Sequence, residues 1–335
     1  MLDVTLVAWT ATIALIVALL AVDLFATGGK RAHAVGFREA VVWSLFYIGV
    51  AVAFGVVFGF VAGWDYGTEY FAGYIVEKSL SVDNLFVFVI IMSTFAVPAE
   101  HQQRVLTFGI ILALLMRAVF IALGAALLAA FSFAFLLFGL LLLATAVQLF
   151  RHRDEDPTIE DNKLVAFARR RFPLTDEYDG GKIITRVGGR KMLTPMFLVL
   201  LTIGTTDLLF ALDSIPAVFG VTQEAYIVFV ANAFALLGLR ALYFLVAGLL
   251  DRLVYLSTGL SVILAFIGLK LVLHWGHLHW DQVPEITTAV SLAVIGVILL
   301  VTTVASLAKS RRDPTAKAHA GTLRDTKRDK GRPPH

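Results

Sequence analysis

Apolar residues fill nine long stretches of this 335-residue chain, with short polar breaks between them. One bilayer crossing takes about 20 such residues, each adding about 1.5 Å of helical rise. The pattern therefore predicts helices over 4–26, 39–62, 68–96, 103–127, 129–150, 194–219, 224–249, 255–275 and 285–308. The expected fold class is all-α, a polytopic membrane protein of about nine transmembrane helices. The first run, from Val4 to Ala26, has no basic residue before it, so it reads as a span and not as a cleavable secretory leader.

Hydrophobic residues make up 59% of the chain and charged ones 16%, against roughly 45–50% apolar in ordinary soluble domains with Gly counted. The charges are unevenly placed. Residues 151–193 carry ten basic and eight acidic side chains, and 309–335 carry nine basic and three acidic. With the N-terminus outside, the short inner segments 27–38, 97–104 and 250–255 hold five Lys or Arg and the outer segments hold none. That is the positive-inside pattern of an N-outside, C-inside chain, expected in the plasma membrane of a bacterium. The formal net charge of +3 comes from the loops and tail, so it points to no nucleic acid; the expected partner is the lipid bilayer. Loop 151–193 reads as a partly ordered cytoplasmic connector, and the tail 309–335 as a basic, disordered segment suited to anionic lipid. Both are candidate contacts for cytoplasmic partner proteins, and the oligomeric state is left open. No Cys occurs, which removes disulfides, thiolate metal ligands and thiol nucleophiles.

Away from the first and last two residues of each expected span, nine charged side chains lie inside the spans: Asp23, Glu77, Lys78, Asp83, Arg117, Asp207, Asp213, Arg240 and Lys270. A central charge costs roughly 2.5–3.5 kcal/mol on insertion scales. Residues that costly are expected to face one another or a wet cavity. Their arrangement repeats. Span 3 reads EKSLSVDNLFVF, with Glu77 and Asp83 six residues apart; span 6 reads DLLFALDSIPAVF, with Asp207 and Asp213 six apart and Ser214 in the place of Asn84. Span 4 has Gly109 and, eight later, Arg117; span 7 has Asn232 and, eight later, Arg240. Lys270 follows Arg240 by 30 residues, and Gln148 follows Arg117 by 31. Spans 3–5 and 6–8 thus read as two copies of one three-helix unit. An odd number of helices per copy sets the copies in opposite orientations, an architecture that places substrate sites near the midplane between repeats. The expected division is a two-helix segment over 1–67, repeats over 68–150 and 194–275 joined by loop 151–193, a last span in 276–308 and the tail 309–335.

Positions i, i+4 and i+7 share a helical face. Glu77, Ser81 and Asn84 then form one oxygen-rich stripe, and Asp207 and Ser214 a shorter one with Ala211 between. Six residues correspond to about 240° of rotation, which takes Asp83 and Asp213 off those stripes unless the helices break. Pro216, with Gly204, Thr205 and Thr206 before it, marks span 6 as the place for a break, because a proline cannot donate to the carbonyl of Leu212. Four carboxylates with amide and hydroxyl oxygens form a hard donor set, suited to Mg2+, Ca2+ or Mn2+. When such an ion leaves, protons or neighbouring cations must balance the acids, a role that falls to Arg117, Arg240 and Lys270. The competing reading makes these charges interhelical ion pairs that pin a bundle. His274, His277 and His279, flanked by Trp275 and Trp280, read as an interfacial belt rather than a metal-capturing cluster. Asp23 either joins the pathway or pairs with Lys30 or Arg38.

The segments GYIVEKSLSVDNLFVF (73–88), FAVPAEHQQRVLTFGIILALLMRAVFIALG (95–124), FPLTDEYDGGK (172–182), LFALDSIPAVF (209–219) and NAFALLGLRALYFLVAGLLDR (232–252) resemble the TerC family of integral membrane proteins. That family is named for tellurium resistance and includes Alx-type manganese exporters. The resemblance runs from about residue 20 to 275 and implies efflux of a divalent cation, chiefly Mn2+. It also implies that Glu77, Asp83 and Asn84 of the first motif and Asp207, Asp213 and Ser214 of the second hold the metal. Two positions depart from it: many relatives carry an acidic residue where this chain has Gly204, and a Lys where it has Gln148.

The resulting expectation is a secondary transporter that exports Mn2+ or a similar hard divalent cation as substrate, in exchange for protons, with no tightly bound cofactor and no enzymatic activity. No GxxxxGK[ST] phosphate loop occurs, which argues against ATP as the driver. Two other classes stand beside it. One is a membrane scaffold that recruits cytoplasmic stress-resistance partners through the loop and tail. The other is an intramembrane aspartyl enzyme, disfavoured because the spans lack paired Tyr-Asp and Gly-x-Gly-Asp motifs.

Overall fold

The structure is a computed structural model, and it describes residues 2, 4–27, 37–151, 167–168, 170–175, 177–187, 189–246, 254–280 and 282–312. Lys30, residues 152–166 and the tail from 313 onward lie outside the described residues. The apolar runs form α1 (Leu6–Thr27), α2 (Phe37–Ala62), α3 (Trp64–Thr94), α4 (Ala99–Ala130) and α5 (Phe133–Arg151). A hairpin of β1 (Ile184–Val187) and β2 (Arg190–Leu193) follows, then α6 (Pro195–Phe219), α7 (Ala225–Leu236), α8 (Leu239–Val246), α9 (Leu256–His277) and α10 (Thr288–Arg312).

Among the described residues, eight stretches are long and apolar enough to cross a membrane, with Ala225–Leu245 of α7 and α8 counted as one. The ninth expected span is α3. It is 31 residues long and packs against α2, α6 and α7, but Asp65, Glu69, Glu77, Lys78 and Asp83 keep it out of that apolar set. Around the rim, Val57, Leu115 and Leu300 stay more than 60% exposed, which is favourable only where the surroundings are lipid. Gly63, with φ of 108°, turns the chain between α2 and α3, a conformation open to a residue without Cβ. Pro195 opens α6 at its first turn, where its missing N–H has no helical partner to lose. Lys309, Arg311 and Arg312 occupy the last turn of α10, where cations offset the exposed carbonyls.

Corresponding helices of the two three-helix units run antiparallel. Thr222, just past the end of α6, donates to Glu69 near the start of α3 at 2.5 Å. At the opposite end Tyr178, ahead of α6, donates to the carbonyl of Phe95, just past α3, at 2.8 Å. Phe135 at the start of α5 meets His274 near the end of α9, ring centroids 4.8 Å apart. Tyr243 in α8 donates to Gln102 in the first turn of α4 at 3.4 Å. Partners also exchange: α3 lies on α7 as α6 lies on α4. Helices α5 and α9 cross glycine on glycine. A Cβ on Gly139 would stand 2.8 Å from the carbonyl oxygen of Gly268, and a Cβ on Gly268 would stand 2.9 Å from that of Gly139. Small residues allow such backbone approach where no water drives the helices together.

One expectation is corrected. Helix α6 runs unbroken through Pro216, because only one hydrogen bond is lost near its end and the next turn closes with Gly220 N on Pro216 O at 2.9 Å. The break falls in span 7 instead, between Leu236 and Leu239, at Gly238 with φ of 78°. A Cβ there would meet Tyr47 Cβ at 2.7 Å, so both the backbone angle and the neighbour require glycine. Within this all-α membrane fold, the connector between the two units carries a small hairpin, paired from Ile184↔Leu193 to Val187↔Arg190. Its turn includes Gly189 at φ of 81°, and the Gly-Gly pair between ITRV and RKML was the available signal. Beside the hairpin, hydrogen bonds from Thr185 and Lys182 hold the Asp179 carboxyl below its ordinary value.

Gly139→Leu is expected to force α5 and α9 apart and to destabilise the protein by about 1–3 kcal/mol, read as a lower thermal midpoint in detergent. Gly49→Ala, where a Cβ meets nothing within 4 Å, should leave the midpoint unchanged.

Candidate functional site

Helix α3 buries Glu77, Ser81 and Asn84 along one stripe, at 0%, 0% and 4% exposure, and α6 buries Asp207, Ala211 and Ser214 at 1%, 0% and 2%. Both carboxylates meet one side chain. Arg117, from α4, donates through Nη1 to Glu77 Oε1 and through Nη2 to Asp207 Oδ1 at 3.3 Å. The guanidinium is fully enclosed, so its charge has to be met inside the bundle. Two carboxylates against one guanidinium leave one negative charge over.

Several atoms of this bridge and its two stripes are buried without a hydrogen-bond partner among the described residues: Glu77 Oε2, Asp207 Oδ2, Ser81 Oγ, Ser214 Oγ and Arg117 Nε. Buried polar atoms are ordinarily satisfied, and each exception asks for an occupant or a role. Oxygens dominate this set, and two belong to carboxylates, so an arriving cation would find donors already desolvated.

The other expected site residues are placed as follows. The side chain of Asp83 lies outside the described residues. Asp213 faces away from the Asp207 stripe, as six residues of helix dictate, and accepts from Thr145 of α5 at 2.9 Å. Among the described residues no group of three or more His, Asp or Glu is arranged to hold a metal ion; Glu77 and Asp207 come together through Arg117 alone. Arg240, expected to balance charge at the same site, instead pairs with Asp23 at 2.7 Å, and Tyr47 donates to that same carboxylate at 3.0 Å. The cause is the break before it, which turns α8 toward α2. Lys270 is also elsewhere. It lines a cavity of about 370 Å³ with Glu69, Thr222, His274 and Glu285, where the loop after α6 meets α9. Glu69, unremarked in the sequence because it opens an apolar run, is one of the acids of that cavity.

The three histidines bond separately: His274 to Glu285 at 2.9 Å and Gln223 at 2.8 Å, His277 to the Val283 carbonyl at 2.8 Å, His279 to the Trp275 carbonyl at 2.9 Å. Rings of His279, Trp275 and Trp280 pack together, as an interfacial belt does. At Gly204, a Cβ would stand 2.9 Å from Leu112 Cδ2. The Leu112 side chain therefore fills the space into which a longer residue at 204 would grow.

Comparison with known proteins settles the family. The model of the integral membrane protein TerC family matches residues 62–314. The chain belongs to the TerC family. It is an integral membrane protein, similar to an uncharacterized membrane protein of Mycobacterium tuberculosis (45% identical, covering 93% of this chain and 82% of that one). It is 42% identical to the thylakoid membrane protein TERC of Arabidopsis thaliana, over 79% of this chain and 68% of the relative. It is 37% identical to the putative membrane-bound redox modulator Alx of Escherichia coli, over 88% and 92% of the two chains. No solved structure matches this TerC chain.

Arg117→Met leaves two buried carboxylates with no counter-charge, and should destabilise this TerC protein by about 3–5 kcal/mol. Adding Glu77→Gln removes one of those charges and should recover part of the loss. Thermal unfolding of the single and double variants measures both; a double variant no better than the single would contradict the bridge.

Proposed function

We propose that this protein exports a hard divalent cation, Mn2+ first among such ions, across the plasma membrane of a bacterium. One observation carries the reading: a carboxylate from each three-helix unit meets at a single guanidinium, and each keeps its second oxygen unpartnered beside unpartnered hydroxyls. Carboxylate, hydroxyl and amide oxygens are the donors that hard dications take. A dication between Glu77 and Asp207 neutralises both acids, where Arg117 neutralises one. Asn84 and Ser214, buried on the same two stripes, extend the donor set. Guanidinium and ion compete for one place, and those two occupancies are the states between which a carrier alternates. Acids that lose the ion take up protons, which makes proton exchange the coupling this site allows. Asp213, six residues further along its helix, is bonded to Thr145 and stands off this pair.

The orientation follows from charge. Leu2 N donates to Glu224 at 3.0 Å, on the face that also holds Glu69 and Glu285. The opposite face carries Arg104, set against Gly181, and the hairpin residues Arg186, Arg190 and Lys191. Basic residues stay on the cytoplasmic side, so the N-terminus is outside, the C-terminus inside and export runs toward Glu69 and Glu285. The Alx relative is named for redox modulation; this chain has no Cys, so any such role here runs without a thiol.

Proteoliposomes with an internal pH probe test the reading. The wild-type protein should move Mn2+ with a counterflow of protons. Glu77→Gln and Asp207→Asn should each weaken Mn2+ binding by about tenfold or more, because a charge-assisted contact is worth roughly 1.5–3 kcal/mol. Asp213→Asn should change flux less than Asp207→Asn. Undiminished Mn2+ flux in folded Glu77→Gln protein would overturn the assignment.

A further inference from the structure

Helix α7 stops at Leu236, halfway along the Ala225–Leu245 crossing. A helix end inside a bilayer carries a partial negative charge of about half an elementary unit on carbonyls that have lost their helical donors, and those carbonyls must be met locally. Leu237 N still reaches the carbonyl of Ala233 at 2.9 Å. The carbonyl of Ala235 is met from another helix: Lys78 Nζ, on α3, donates to it at 3.0 Å. One turn before that carbonyl stands Asn232, 1% exposed, with neither its amide oxygen nor its nitrogen partnered among the described residues. Beyond the gap, α8 is held in place by Arg240 on Asp23 and by Tyr47, which packs over Gly238.

In transporters with interrupted helices, freed carbonyls at a half-helix C-terminus coordinate Na+ or meet a proton-bearing group. An ammonium carries the same single charge as an alkali cation and donates to the carbonyl oxygens that such an ion would bind; it differs in being tethered. We infer that the gap between α7 and α8 is a monovalent-cation site whose occupant is built in. The Lys78 ammonium fills the place of a free Na+ or K+ on the Ala235 carbonyl, and the unpartnered Asn232 amide oxygen, one turn back, is the further ligand that a free ion would take. Lys78 is in this respect a specificity-determining residue: it makes the protein independent of monovalent metal ions, and it does so about 100° round α3 from Glu77. The inference concerns cation binding and stands apart from the export reading, since its readout needs no flux.

Thermal unfolding of the full-length protein in detergent tests it, in choline chloride, NaCl and KCl at equal ionic strength. The wild-type midpoint should be the same in all three. Lys78→Met should unfold at a lower temperature in choline, and NaCl or KCl should raise its midpoint saturably by at least about 3 °C, with one ion preferred by size. Asn232→Ala in the Lys78→Met background should remove that rise. Lys78→Gln, which also lacks the charge and keeps a polar end, is measured alongside and should respond in the same way. A wild-type midpoint that rises with Na+ or K+ as the variants' does would overturn the inference. So would variants indifferent to the cation, including variants that no monovalent salt allows to be purified folded.

Discussion

Arg117 is the largest fully buried side chain described in this protein, and the manner in which its charge is met constrains everything around it. Removing one partner from a buried ion pair costs several kcal/mol, so α3, α4 and α6 are bound to one another at the level of Glu77, Arg117 and Asp207. The bridge also joins the two three-helix units, because its acids come one from each. That makes the charge arrangement a property of the interface between units. Any relative motion of those units changes the environment of the guanidinium first.

The second arginine solves the same problem differently. Arg117 and Arg240 stand eight residues after Gly109 and Asn232 in their respective units, yet one is central and the other anchors α8 to Asp23 and Tyr47 of the N-terminal helices. The asymmetry traces to Gly238. Where α4 continues as one helix, the second unit is cut into α7 and α8, and the residues past the cut turn toward α2. A sequence repeat has thus become two different polar devices, one that holds a pair of acids and one that holds a broken helix.

Periodicity made most of this readable in the chain itself. Apolar runs located the helices, and the i, i+4, i+7 rule put Glu77 with Ser81 and Asn84 and moved Asp213 to another face. The break was unreadable for a physical reason. Gly238 sits between two leucines with no proline to mark it, and its necessity comes from Tyr47, nearly 200 positions away. Pro216 gave the stronger local signal, but a proline close to a helix end removes little. Partner choice was hidden for a related reason: Arg117, Arg240 and Lys270 look alike in sequence, and only long-range packing assigns each to its own acids, to Asp23 or to the Glu69 cavity. Membership of the TerC family agrees with the helical architecture and leaves the identity of the ion to chemistry.

In the proposed cycle a dication and the Arg117 guanidinium take turns between Glu77 and Asp207. The most direct measurement is an experimental structure determined with Mn2+ present, with anomalous scattering used to locate the ion. A single strong manganese peak is expected within coordinating distance of both carboxylates, with the guanidinium moved out of its bridge. A manganese peak at a distance from both acids, with Arg117 still clasping them, would contradict it.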